Sequence, residues 1–270
     1  MSRKDSINRE LKMFEENKRK NAEQEVIPKI RFTPQDLVRI QPLTKNQEVF
    51  FKSYDLKIPG HENQAERDVN ILCKGVAGTG KTMISLYKAL EEVIDKKEKE
   101  KIIIIRSVVE TRQRGFLPGT AEEKEAPFEM PYIGLCDQLI NYQWRNYEKL
   151  KKAGIIEFES TSNLRGATLN DAVIIVDECQ NMNFHELDTV ITRVGKNSRI
   201  VFCGDFNQSD LLINRNDVSG LPDFEKIITK MDSFRIINFG VDDVVRSGLV
   251  KEYILAKVKL EDELKAASKK

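Results

Sequence analysis

No apolar run among the 270 residues of this chain approaches the ~18–20 residues that a membrane-spanning helix needs. Residues 1–20, MSRKDSINRELKMFEENKRK, lack the apolar stretch of a secretory signal. A net charge is nearly absent too. The 44 Lys and Arg against 43 Asp and Glu leave +1, so the whole-chain charge argues neither for nor against nucleic acid, and only local patches can do so. Cysteine is scarce: Cys73, Cys136, Cys179 and Cys203 have no metal-ligand spacing. Three of them sit in or beside apolar strand-like runs, which reads as buried, reduced thiols. There is no internal repeat. What remains, 40% hydrophobic and 32% charged residues, is the make-up of a globular protein with a sizeable core in one or two domains. A cytoplasmic protein is the expectation.

The chain is expected to divide into a charged N-terminal arm (1–39), a core (40–257) and a charged helix end or tail (258–270). In the arm, Ile7, Leu11 and Phe14 recur at helical spacing. That stripe suits a docking helix for a neighbouring subunit and equally a solvated arm. Pro28, Pro34 and Pro42 predict irregular, extended chain over 26–47. Six runs then read as strands: 69–75, 101–109, 155–161, 172–178, 199–205 and 234–239. Several are continuously apolar and β-branched, as parallel strands covered on both faces are. Between them lie helical runs: one from Gly80, one over 132–154 after Pro131, one opened by Asn183 with Glu186 three residues on and stopped at Gly195, one at 221–231, and one at 247–267. Residues 110–131 read as a long loop, the kind that carries function or disorder. Strand–helix alternation predicts a doubly wound, mostly parallel α/β sheet.

The strongest chemical signal is GVAGTGKT, 75–82, between a strand and a helix. It matches the phosphate-binding loop. Gly75, Gly78 and Gly80 let main-chain N–H groups turn inward around phosphates, with Val76, Ala77, Thr79 and Met83 completing the cradle, and the helix start adds positive potential. Lys81 is placed to bridge phosphates and Thr82 to ligate Mg²⁺. The run VIIVDE, 173–178, delivers Asp177 and Glu178 at a strand's carboxyl end, where ligands bind in open α/β sheets. Asp177 suits Mg²⁺, and Glu178 suits a general base; without the upstream loop the pair would read equally well as a solvated turn. Three signals are weaker. GDFNQ, 204–208, offers Gln208 for the γ-phosphate or the attacking water, with Asp205 to position it, or it is an ordinary turn. Gln47 has an amide able to pair with adenine, though alone it reads more readily as a surface residue. Arg246 is a guanidinium for transition-state charge or a surface arginine.

Taken in order, LTKNQ, GVAGTGKT, RGFLPG, TLNDAVIIVDECQN, GDFNQSDL and VVRSGLV resemble the PhoH family over about residues 40–257. Its members are ATPases with a RecA-like core similar to the first motor domain of superfamily 1 helicases. The resemblance implies a single P-loop domain, ATP and Mg²⁺ as ligands, an adenine contact for Gln47, and a link from the γ-phosphate to the nucleic-acid side for Gln180. It also implies γ-phosphate sensing by Gln208 and an arginine role for Arg246. Where the family usually has arginine–proline, this chain has Arg106-Ser107, and Arg112 and Arg114 follow in a less typical spacing. Residues 1–39 are too few for a PIN-type nuclease domain, so that activity is not expected.

Two functions follow. One is a nucleic-acid-linked ATPase. Superfamily 1 motors close ATP between two domains, so here a neighbouring subunit would complete the cleft in a head-to-tail ring, which the resemblance suggests has six members. Arg112, Arg114, Arg165 and Thr168, on loops at the strand ends, are the candidate contacts for RNA or single-stranded DNA, with Phe116 as a stacking aromatic or a core residue. Arg193 and Arg199 are candidates for an arginine offered to the neighbour. The other is a stress- or phosphate-responsive module in which the same ATP site drives a shape change that a protein partner reads.

Overall fold

Ile102, Ile103, Ile104 and Ile105 are consecutive in the chain, and all four are buried. A strand points successive side chains to opposite faces, so such a run is stable only where both faces are covered. The computed structural model describes residues 30–60, 67–107, 121–141, 145–164, 166, 168–205 and 219–267. In it these isoleucines form the middle of β2 (Lys101–Arg106). Among the described residues the sheet has six parallel strands in the order β3-β2-β4-β5-β1-β6. The others are β1 (Asn70–Gly75), β3 (Ile156–Ser160), β4 (Ala172–Asp177), β5 (Arg199–Gly204) and β6 (Phe234–Phe239). All six lie within the runs read from sequence. The doubly wound, RecA-like P-loop fold is therefore observed.

The helices are α1 (Lys45–Tyr54), α2 (Lys81–Leu90, extended by a π-helical turn Glu91–Asp95), α3 (Ala121–Leu139), α4 (Asn146–Lys152), α5 (Phe184–Ile191), α6 (Leu221–Ile228) and α7 (Gly248–Ala267). Ile102, Ile104, Val173 and Ile175 face one side, packed with Leu86, Leu90, Tyr132, Cys136 and Leu150 from α2, α3 and α4. Ile103, Ile105, Ile174 and Val176 face the other, packed with Leu187, Leu221 and Phe224 from α5 and α6. Burying one such aliphatic side chain stabilises the fold by roughly 1.5–3 kcal/mol. All four cysteines are free and buried, as read from sequence. No described helix is long and apolar enough to cross a membrane.

Two helix expectations need correction. A helix was expected to start after Pro131 and run unbroken to Gly154. Instead α3 starts at Ala121 and carries Pro127 and Pro131 inside it, which also shortens the loop expected over 110–131. Pro131 lies four residues after Pro127, so the one N–H that Pro131 lacks would have bonded only Pro127's carbonyl. Burial of Tyr132, Cys136 and Leu139 on one face outweighs that loss. A second helix, α4, then starts at Asn146. The capping box of α5 is as read: Asn183 Oδ1 accepts from Glu186 N–H at 3.0 Å, and Glu186 Oε2 accepts from Asn183 N–H at 2.9 Å. That helix ends at Ile191, before Gly195.

At the edge where the strands begin, a charged cluster is closed on itself. Asp68, just ahead of β1, pairs with Lys99 at 2.6 Å and Arg199 at 3.1 Å. Arg199 also reaches Glu92 at 3.5 Å and lies 3.9 Å from the centre of the Tyr54 ring. Tyr54 donates to Glu92 at 2.7 Å. Arg199 is 1% exposed, which removes it as an arginine offered to a neighbouring subunit: its guanidinium is consumed inside its own chain.

Candidate nucleotide-binding site

The opposite edge, where the strands end, gathers the sequence motifs. β1 runs into Gly75, whose φ is +135°; a Cβ there would sit 1.9 Å from the Phe239 carbonyl oxygen of β6. Only glycine permits that approach. The loop turns again through Gly80 (φ +82°) straight into α2. Inside the loop, Thr79 is fully buried and its hydroxyl donates to Val76 O at 3.0 Å. Lys81 Nζ donates to Gly75 O and Val76 O, both at 2.9 Å. Met83 packs its partly buried side chain against the core. The chain after β6 lies on this loop: Val245 N–H donates to Gly78 O at 3.1 Å, and a Cβ on Gly78 would come within 3.0 Å of Arg246 Cγ. The exposed Arg246 thus rests on the loop of its own chain.

Gln47, on α1, is 3% exposed. Its Nε2 donates to Thr79 O at 2.9 Å and its Oε1 accepts from Leu43 N–H at 2.8 Å. The amide therefore ties the loop to the chain that enters α1. Asn46 beside it donates to Asp243 at 2.7 Å, fastening α1 to the segment that leads to Arg246.

β4 delivers Asp177 to the start of α2. Thr82 Oγ1 donates to Asp177 Oδ1 at 2.8 Å, and Tyr132 OH on α3 donates to Oδ2 at 2.9 Å. Burial and the adjacent Glu178 raise the Asp177 pKa, while the two hydroxyl donors oppose that rise. A hydroxyl and a carboxylate held 2.8 Å apart are hard oxygen donors of the kind Mg²⁺ takes. With the loop's inward turn, this pair fits a metal-bound polyphosphate.

Glu178 adopts a left-handed backbone, φ +51°, a strain of about 1–3 kcal/mol that is common at functional turns. Its Oε2 accepts from Gln180 Nε2 at 2.5 Å, and Gln180 Oε1 accepts from Asp205 N–H at 2.9 Å. Gln180 therefore joins Glu178 to the end of β5, the strand lying between β1 and β4.

Gln208, Arg112, Arg114, Phe116 and Arg165 lie outside the described residues, as do the arm helix (Ile7, Leu11, Phe14) and residues 268–270. Thr168 is not at a strand's carboxyl end. It lies on the loop entering β4, beside Asn170 and Gly195, because the chain leaving β3 must return to the opposite edge to start β4, a parallel strand on the far side of β2.

Sequence reasoning missed three contributors. Tyr132 carried no motif. Arg106 ends β2 in register with Asp177 and lies 5.8 Å from the centre of the Phe128 ring. Glu186 was read only as a cap, yet its Oε1 also accepts from Ser107 at 2.9 Å and from Thr161 at 2.7 Å. That gives a reason for serine where proline is usual: its hydroxyl ties the end of β2 to α5.

The family model for PhoH-like protein matches residues 39–257. The chain belongs to the PhoH-like protein family. It is 37% identical to the PhoH-like protein of Mycobacterium leprae over 199 residues, 72% of this chain and 55% of that one. It is 33% identical to that of Bacillus subtilis over 220 residues, 80% of this chain and 67% of that one. This PhoH-like chain thus spans about half the length of the first of these relatives. Among solved structures, the large terminase of bacteriophage HK97 is similar at a TM-score of 0.44 and 12% identity, over 75% of this chain and 40% of that one. Likeness at that level carries no argument. The family match and the loop's own geometry establish a nucleotide-binding, ATPase-like core.

Proposed function

We propose that this PhoH-like protein hydrolyses ATP with Mg²⁺ and couples hydrolysis to binding or remodelling RNA or single-stranded DNA, as a cytoplasmic homo-oligomeric ring, hexameric by family resemblance. The observation that carries the reading is the convergence of Lys81, Thr82, Asp177 and Glu178 at one sheet edge, with Glu178 joined through Gln180 to β5.

In this reading the loop N–H groups and Lys81 hold the phosphates, and Lys81 exchanges its carbonyl partners for phosphate oxygens. Thr82 and Asp177 hold Mg²⁺, which supplies charge neutralisation across the phosphates. Glu178 takes a proton from the attacking water. Gln208 orients that water, and Arg246, resting on the loop of its own chain, answers the developing charge in cis. Gln47 sets the loop and is the candidate adenine contact. A neighbour's arginine would close the cleft, with Arg193 the remaining candidate. Arg112, Arg114 and Arg165 are the proposed nucleic-acid contacts.

The test is ATPase rate with and without single-stranded RNA or DNA across a salt series. Stimulation that falls steeply with salt supports phosphate-backbone binding. ATPase activity indifferent to every nucleic acid favours the protein-binding module. A monomer in analytical ultracentrifugation with ATP, hydrolysing at full rate, contradicts the ring. For the arginine in trans, Lys81→Ala subunits mixed with Arg193→Ala subunits regain activity only if Arg193 acts on its neighbour.

A further inference from the structure

Asp177 is held by two neutral donors from two different helices. Thr82, on α2, belongs to the phosphate-loop motif. Tyr132 belongs to no motif, sits on α3, and is 1% exposed. Its hydroxyl reaches Asp177 Oδ2 at 2.9 Å, and its ring packs on Phe158 with centroids 6.0 Å apart. A tyrosine this buried, with its only polar atom spent on a carboxylate, does more than fill space. Two fixed donors on opposite oxygens stop the carboxyl group from rotating, and being neutral they leave its charge for a cation. Arg106 on the same edge favours the charged carboxylate from a distance, but its guanidinium lies against the Phe128 ring rather than in an ion pair with Asp177.

We propose that Tyr132 is a positioning residue that orients Asp177 to receive the divalent cation bound with the nucleotide. It also ties that carboxylate to α3, the next element after β2 among the described residues. This inference rests on the proposed nucleotide site.

The experiment is Mn²⁺ titration by electron paramagnetic resonance in the presence of ADP, alongside ADP binding in EDTA, for wild type, Tyr132→Phe and Phe158→Leu. Removing a partner that orients a metal ligand typically weakens metal affinity about 10–100-fold. Tyr132→Phe should lose that much Mn²⁺ affinity, keep its ADP affinity in EDTA, and regain turnover as Mg²⁺ is raised. Phe158→Leu disturbs the packing but not the hydroxyl, and should keep wild-type Mn²⁺ affinity. Unchanged Mn²⁺ affinity in Tyr132→Phe overturns the role, as does an equal loss in Phe158→Leu. A wild type that binds no Mn²⁺ with ADP overturns the nucleotide site as well, so the two failures are distinct.

Discussion

The same two strands, β1 and β5, begin in one buried polar cluster and end in another, and the clusters are built differently. Where the strands begin, Asp68, Lys99, Arg199 and Glu92 are paired with one another. Where they end, among the described residues, Lys81 bonds only carbonyl oxygens and the Thr79 hydroxyl, and Asp177 bonds only neutral hydroxyls. Among the described residues, neither enters an ion pair. A buried charge without a counter-charge is costly, so a fold keeps one where a ligand provides the partner. The closed cluster reads as structure and the open one as function, although both hold buried charged residues.

That contrast yields predictions of decreasing size. At the open edge, Glu178→Gln should reduce kcat by roughly 10²–10⁴-fold with no loss of melting temperature; a large drop in melting temperature would make Glu178 structural. At the closed edge, Arg199→Met removes one member of a buried network and should cost about 3–5 kcal/mol in denaturant unfolding, with kcat per folded molecule unchanged. If activity falls without a stability loss, the two edges are not separate.

Acid should act on the closed edge through Asp68. Burial pushes the Asp68 pKa up, but Arg199, Lys57 and Lys99 more than offset that and hold it below its ordinary 3.8. A carboxylate with a lowered folded pKa contributes its stability above the unfolded value and loses it as pH falls below that value. Unfolding free energy should therefore decline below about pH 3.8, and Asp68→Asn should flatten that decline; an unchanged slope contradicts the pairing. The smallest effect is expected at Ser107→Ala, which removes one donor to Glu186 and should cost about 0.5–1.5 kcal/mol, read as a small shift in melting temperature.

The fold was legible because the Ile102–Ile105 run and its counterparts in β4 and β5 carry their burial on both faces in the chain itself. The phosphate loop was legible because its spacing is a chemical requirement. Tyr132 was not, since a lone tyrosine signals nothing until α3 brings it to Asp177. Arg199 was misread as an available arginine because sequence does not show that Asp68 and Glu92 converge on it from distant positions. The start of α3 was misplaced because Pro127 and Pro131 argue locally for a break, and only tertiary burial of Tyr132, Cys136 and Leu139 outweighs them.

Ligand-induced stabilisation separates the two edges most directly. A ligand that binds only the folded protein raises its stability by RT ln(1 + [L]/Kd), about 2.7 kcal/mol at one hundred times Kd. Melting temperatures would be measured with and without Mg²⁺ and ATP for wild type, Lys81→Ala and Arg199→Met. The expected result is an upward shift for wild type, a shift of similar size from a lower baseline for Arg199→Met, and little or none for Lys81→Ala. A Lys81→Ala protein stabilised as strongly as wild type would contradict the assignment of the open edge to the nucleotide.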